Sequence, residues 1–262
     1  MTENTNLELI VLDCESVEST FKSILKIYSV KPNDIEDFLV SLDMEEYFRE
    51  HDPSDDVDKV LIDLFEKEFN KNFRSLDYVF WFHLTRAFRD NDFRDGILPL
   101  NQALEEKIWP TFFKIFRGTK HLTRLKHMKK QGVDHWLYNM KTKYKYLGGP
   151  YALLIYNKKF EGTGVKTKYF EFPEIIEDIC NGYQNSYNEL IHTTVKNSLV
   201  SYIVKFKSRR RLDRRCISAA LYYLYNICHN EELSIYSNTC FDGKGKLIPY
   251  EDIIKIEYLG KR

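Results

Sequence analysis

Tyr78-Val79-Phe80-Trp81-Phe82-His83-Leu84-Thr85-Arg86 is the stretch on which the reading of this chain turns. Its first part, Tyr78 to His83, is an aromatic and β-branched run typical of a buried strand. Its far end carries His83, Thr85 and Arg86, and after a short polar loop come Phe93-Arg94-Asp95-Gly96-Ile97-Leu98-Pro99-Leu100. Donors and a cation thus stand where the backbone leaves a sheet, an arrangement that suits a phosphate-bearing ligand.

Upstream of the strand the character is helical. Leu7 to Leu12 reads as a short strand, and Ser16 opens a segment in which Phe21, Ile24, Leu25 and Tyr28 recur at helical spacing until Pro32. Two more acidic amphipathic helices are expected over about 33–49 and 54–69. Downstream, helices are expected over about 101–116, 173–192 and 208–229, with strands at 151–156, 202–206, 233–237 and 253–258. The fold class is therefore α+β: an acidic, mainly helical region over 1–72, followed by a mixed or antiparallel sheet domain over 73–262. No low-complexity linker separates the two. Strands and helices do not alternate in a βαβ rhythm, and neither Gly-x-Gly-x-x-Gly nor Gly-x-x-x-x-Gly-Lys-Ser/Thr occurs. Dehydrogenase and P-loop ATPase readings lose their main signs.

The 262 residues carry 39 basic and 39 acidic side chains, yet the balance is uneven. Residues 1–72 hold 19 acidic and 7 basic side chains, so the first segment is −12 and the remainder +12. Such a division suits either internal pairing or attraction of anions by the later part. Cys14, Cys180, Cys216, Cys228 and Cys240 form no Cys-x-x-Cys pair and read as reduced, mostly buried thiols. His121, His127 and His135 lack carboxylate or thiolate partners at metal-site intervals, so no metal is expected. The N-terminus lacks the pattern of a signal peptide, and the longest apolar run, around Ser218 to Ile227, is too short to span a bilayer. A cytoplasmic location without membrane contact is the expectation.

The His83-Leu84-Thr85 strand end leading into Gly96-Ile97-Leu98 resembles the first motif of the ADP-ribosyltransferase superfamily, in its His-Tyr-Glu form. Leu84 stands where that motif usually has glycine. The resemblance implies that NAD is the substrate, that His83 binds a ribose, and that Thr85 and Arg86 lie beside it. The superfamily's second motif is a strand bearing a tyrosine that packs on nicotinamide. Here the comparable stretch is Lys143-Tyr144-Lys145-Tyr146-Leu147-Gly148-Gly149-Pro150-Tyr151, and Tyr146 and Tyr151 are both candidates. Paired glycines there permit close approach to backbone. The third motif supplies a catalytic glutamate, and Glu231-Glu232-Leu233-Ser234-Ile235-Tyr236 is similar to it. Glu232 is preferred, with Glu231 and Glu257 as rivals. The implied core runs from about Asp77 to Tyr258, and the implied reaction moves ADP-ribose from NAD to a macromolecule, as in bacterial toxins and phage-defence factors. For His83, each tyrosine and each glutamate, an ordinary structural role is the competing account.

Lys205, Lys207, Arg209, Arg210, Arg211, Arg214 and Arg215 place seven cations in eleven residues. With Lys120, Arg124, Lys126, Lys129, Lys130, Lys141, Lys143 and Lys145, and with Trp136 and tyrosines for base stacking, they could hold nucleic acid or another phosphate-bearing partner. Internal pairing with the acidic N-terminal third is the equal alternative. A non-enzymatic nucleic-acid-binding or regulatory module, or a protein acceptor for the transferase, therefore stays open beside the enzyme reading.

Overall fold

The computed structural model describes residues 8–51, 57–144, 148–156, 172–209 and 213–259, and these form a mixed α and β structure. In chain order come β1 (Val11–Leu12), α1 (Val17–Tyr28), α2 (Pro32–Ser41), α3 (Met44–Glu50), α4 (Val57–Phe69) and β2 (Tyr78–Ala87). Then follow α5 (Leu100–Ala103), a π turn (Leu104–Ile108), α6 (Trp109–Ile115), α7 (Lys120–Gln131), α8 (Trp136–Lys143) and β3 (Tyr151–Leu153). The last elements are α9 (Glu174–Tyr187), α10 (His192–Ser198), β4 (Val200–Ser208), α11 (Asp213–Cys228), β5 (Cys240–Asp242) and β6 (Ile253–Leu259).

The strands join in one six-stranded sheet of order β5-β3-β2-β4-β6, with β1 pairing β2 in addition. β1 runs parallel to β2, with Val11 opposite Tyr78, whereas β2 and β3 are antiparallel with Phe82 opposite Leu153. β4 and β6 are antiparallel from Ser201 opposite Leu259 to Phe206 opposite Ile253, with an irregularity between Lys205 and Phe206. The expected strand at 78–83 is thus longer than the apolar run that announces it, and it continues through His83, Thr85 and Arg86.

The chain divides into two units that are interleaved in sequence: residues 1–82, 153–165 and 207–240, and residues 83–152, 166–206 and 241–262. In the first unit α11 is the central helix, buried along most of its length and packed against α4, α1 and α2. Ser16 caps α1 reciprocally with Ser19, and Ser29 ends it in the left-handed region, so Pro32 starts the next helix rather than stopping this one. The expected 33–49 helix is broken by Leu42 and Asp43, because the Asp43 side chain caps α3 through the Glu46 N–H. In the second unit Trp109, Phe112, Leu125, Ile179, Tyr183 and Val195 lie at the centre of the core that joins α6, α7, α9 and α10.

One expected strand is a 3₁₀ turn. Residues 233–237 include the strand formers Ile235 and Tyr236, but Asn226 on α11 is buried and draws the segment into a knot of hydrogen bonds: its Oδ1 accepts from Ser237 Oγ at 2.5 Å and from the Ser234 N–H at 3.4 Å. Its Nδ2 donates to Glu231 Oε2 at 2.9 Å. A buried amide with all these partners outweighs strand propensity, and Ile235–Ser237 turns instead of extending. Among the described residues no helix is long and apolar enough to cross a membrane.

Candidate functional site

In the second unit, His83 on β2 and Tyr151 on β3 come together. The imidazole Nδ1 lies 2.7 Å from the Tyr151 carbonyl oxygen. A carbonyl can only accept, so Nδ1 carries the proton and Nε2 of the neutral ring keeps its lone pair. Burial pushes the His83 pKa down from its ordinary value, and the bond to Tyr151 opposes this only in part. The neutral, Nε2-accepting ring is therefore the state at neutral pH. Thr85, two residues along the same strand, projects to the same face as His83 and is half-buried.

Around Tyr151 the backbone is anchored at every step. The carbonyl of Gly148 accepts from the Leu100 N–H at 2.8 Å, that of Gly149 from Gly245 at 2.7 Å, and that of Pro150 from Gly243 at 2.8 Å. With His83 on the Tyr151 carbonyl, four consecutive carbonyls are held from within one unit. Gly149 has φ +53°, and a Cβ there would come within 3.0 Å of the Tyr151 ring, which folds back over it. A Cβ on Gly243 would stand 2.4 Å from Pro150 Cδ and 2.7 Å from the Gly149 oxygen. Neither glycine can take a side chain without displacing this shelf. The Tyr151 ring that it presents is 49% exposed. Burial, and next the charge of Asp242, raise the phenol pKa, so the hydroxyl stays protonated and able to donate.

Asp242 was not among the residues singled out from sequence. It ends β5, the neighbour of β3, and its Oδ1 accepts from the Lys244 N–H at 2.8 Å. His83, Tyr151 and Asp242 thus stand on three successive strands, β2, β3 and β5. The Asp-Gly-Lys-Gly spacing at 242–245 marks a turn in the sequence, but only the strand order shows that it supports Tyr151.

The other expected site residues are placed differently. Arg86 donates to Ser201 Oγ at 2.9 Å and to the carbonyls of Lys196 at 2.8 Å and Leu199 at 2.7 Å, so its guanidinium ties β2 to the C-terminal end of α10. Ile97 is used in an antiparallel bridge to Ile248, and the Gly96 N–H donates to the Phe93 carbonyl at 2.8 Å. Glu232 is exposed in the loop after α11, and Glu231 is the acceptor of the Asn226 amide; both belong to the first unit, whereas His83 belongs to the second. Glu257 lies on β6, half-exposed, with its carboxylate 3.5 Å from Lys255. Tyr146 lies outside the described residues.

The basic run from 205 to 215 is dispersed. Lys205 is buried, while Lys207 and Arg209 lie over the Tyr78 ring, 5.4 and 4.8 Å from its centre. Arg214 donates to Glu66 Oε2 at 3.0 Å and also pairs with Asp63 of α4. Arg215 is exposed, and Arg210 and Arg211 lie outside the described residues. Protein families, curated proteins and solved structures yield no match to the chain.

Proposed function

We propose that the protein is an ADP-ribosyltransferase that uses NAD and modifies a macromolecular acceptor, with the His83–Tyr151 shelf as the place where the nicotinamide riboside half of NAD rests. The observation that supports this reading is the pairing itself. His83 and Tyr151, one of the two tyrosines that the motif resemblance offers, are 68 positions apart and are joined by a hydrogen bond of 2.7 Å from the imidazole to the Tyr151 backbone carbonyl. His83 Nε2 can accept from a ribose hydroxyl, and the exposed Tyr151 ring offers a face for the nicotinamide.

In the reaction the bond between ribose C1′ and the nicotinamide nitrogen breaks, and nicotinamide leaves with the electron pair. The acceptor's nucleophile then bonds C1′ and gives up its proton. A carboxylate near the sugar stabilises the oxocarbenium-like transition state. The resemblance prefers Glu232 for this role; within the unit of Tyr151, Asp242 is the carboxylate whose charge acts most on that tyrosine, ahead of Glu174.

Titration with NAD and assay of nicotinamide release test the proposal. Binding by wild type and a loss of affinity of roughly tenfold or more in His83→Ala are expected for a lost ribose contact. Absence of NAD binding and of turnover with both protein and nucleic-acid acceptors would reject it.

A further inference from the structure

α8 has no buried residue, which is unusual for a helix attached to a core. Half-buried Tyr138 packs against the core, and charge holds the helix as well. Lys141 reaches Asp178 Oδ2 at 2.8 Å and Glu174 at 2.9 Å, and His135 Nδ1 lies 3.4 Å from the other Asp178 oxygen. Asp178 is only 3% exposed, so α8 is tied to α9 through a carboxylate taken out of water, whose Oδ2 accepts from Lys141. The turn before α8 is fixed as well: Val133 is in the core, and Asn185 Nδ2 donates to the Asp134 carbonyl at 2.8 Å.

With Lys141 engaged on α9, the helix presents Trp136 and Met140 at i and i+4, and Tyr144 follows as its extended C-cap; all three are exposed. Trp136 is 68% exposed, against 0% for Trp81 and 1% for Trp109. Lys143 Nζ lies 5.5 Å from the centre of the Tyr144 ring. The preceding α7 turns Lys126 and Lys130, one helical turn apart, to solvent. Over residues 107–143 there are ten Lys and Arg side chains and one acid, Asp134. Several of these cations are used internally, as Lys120 and Arg124 are on Glu189, but Lys126, Lys130 and Lys143 form no ion pair among the described residues.

Exposed rings at the start of α8 and just past its end, set in a segment with this excess of cations, match a partner that alternates flat aromatic groups with negative charge. We infer that α7 and α8 form a binding surface for single-stranded nucleic acid, with Trp136 and Tyr144 stacking on bases and Lys126, Lys130 and Lys143 contacting phosphates. The inference does not depend on the transferase reading. It also places the nucleic-acid contact away from the 205–215 run, whose described cations are largely engaged within the protein.

The experiment uses the full chain and fluorescently labelled oligothymidylate and oligouridylate of about 20 nucleotides. Since Trp81 and Trp109 are buried, the exposed Trp136 should account for the quenching of tryptophan fluorescence when either strand is added. Trp136→Ala should weaken binding about tenfold, the range expected for one lost stacking contact. Lys126→Glu with Lys130→Glu should weaken it further, and more at low salt than at high salt. Unchanged thermal unfolding of these surface variants establishes that the loss is local. Four results would overturn the inference: no binding at low salt, equal binding by wild type and Trp136→Ala, tighter binding of duplex than of either single strand, or binding of an acidic polyglutamate peptide in preference to both oligonucleotides. Preference between the DNA and RNA strands identifies which polynucleotide the surface takes.

Discussion

Because the His83 proton is fixed on Nδ1 by the Tyr151 carbonyl, the useful atom is Nε2, and only while the ring is neutral. Burial lowers the folded-state pKa, so the unfolded chain takes up the proton first as pH falls. Stability contributed by the neutral ring is present above the ordinary imidazole value of about 6.5 and is lost as pH falls through the lowered folded value. NAD affinity should follow the same sign, level from pH 7 to 8 and declining as pH falls through the lowered folded value, as isothermal titration from pH 8 downward would show. Affinity that rises on acidification would mean that the imidazolium is the binding form. A second measurement at this scale separates the carboxylates. If Glu232 is the catalytic group, Glu232→Gln should reduce nicotinamide release by orders of magnitude while NAD affinity changes far less, and Asp242→Asn should do little. The opposite ranking would assign the role to Asp242. His83, and Tyr151 beside Tyr146, could be singled out as candidates from the motif resemblance. Asp242 could not, because its relevance comes from β5 lying next to β3, a long-range pairing that leaves no periodic trace in the sequence.

Elements that bury a regular apolar stripe were legible: α1, α4 and α11 and the strands β2, β4 and β6 stand close to where the pattern of apolar residues places them. α7 and α8 were not, since α7 dilutes its buried Leu125 and Met128 among cations and α8 is fastened by Lys141 and half-buried Tyr138 rather than by fully buried apolar residues. The 233–237 segment failed for a different reason. Ile235 and Tyr236 argue locally for a strand, whereas the deciding group is Asn226, held in the core of the first unit by α11. Replacing Asn226 with Ala removes its bonds to Glu231, Ser234 and Ser237 and leaves the buried Ser237 hydroxyl without that acceptor. A loss of about 1–3 kcal/mol in urea unfolding is expected, as for other buried polar groups deprived of partners. Asn226→Asp, which retains Oδ1 acceptors but confronts Glu231 with a second carboxylate, should be no better. If Asn226→Ala unfolds at the wild-type midpoint, the hydrogen-bonded knot does not hold the loop.

At the scale of the molecule, zero net charge conceals a division that follows the two units. The first contains 24 acidic and 16 basic side chains, the second 15 and 23, so they carry −8 and +8. The sequence shows the asymmetry as an acidic start; the interleaving of the units, which no linker announces, assigns the 205–215 run partly to the acidic unit. There Arg214 meets Asp63 and Glu66, a partly exposed pair whose contribution to stability, after screening by solvent, is about 1 kcal/mol or less. Consequently, attraction of polyanions should depend on the second unit's cations and not on Arg214. For single strands, the logarithm of the binding constant falls with the logarithm of salt concentration by about 0.7 for each phosphate neutralised. Reversal of Lys126 and Lys130 should therefore make that slope shallower by roughly 1.4, whereas Arg214→Ala should leave it unchanged and lower the urea midpoint slightly. Parallel titrations of wild type and both variants between about 50 and 200 mM salt measure the two slopes. A shallower slope for Arg214→Ala, with none for the Lys126 and Lys130 variant, would return the phosphate contact to the 205–215 run and separate it from α7 and α8.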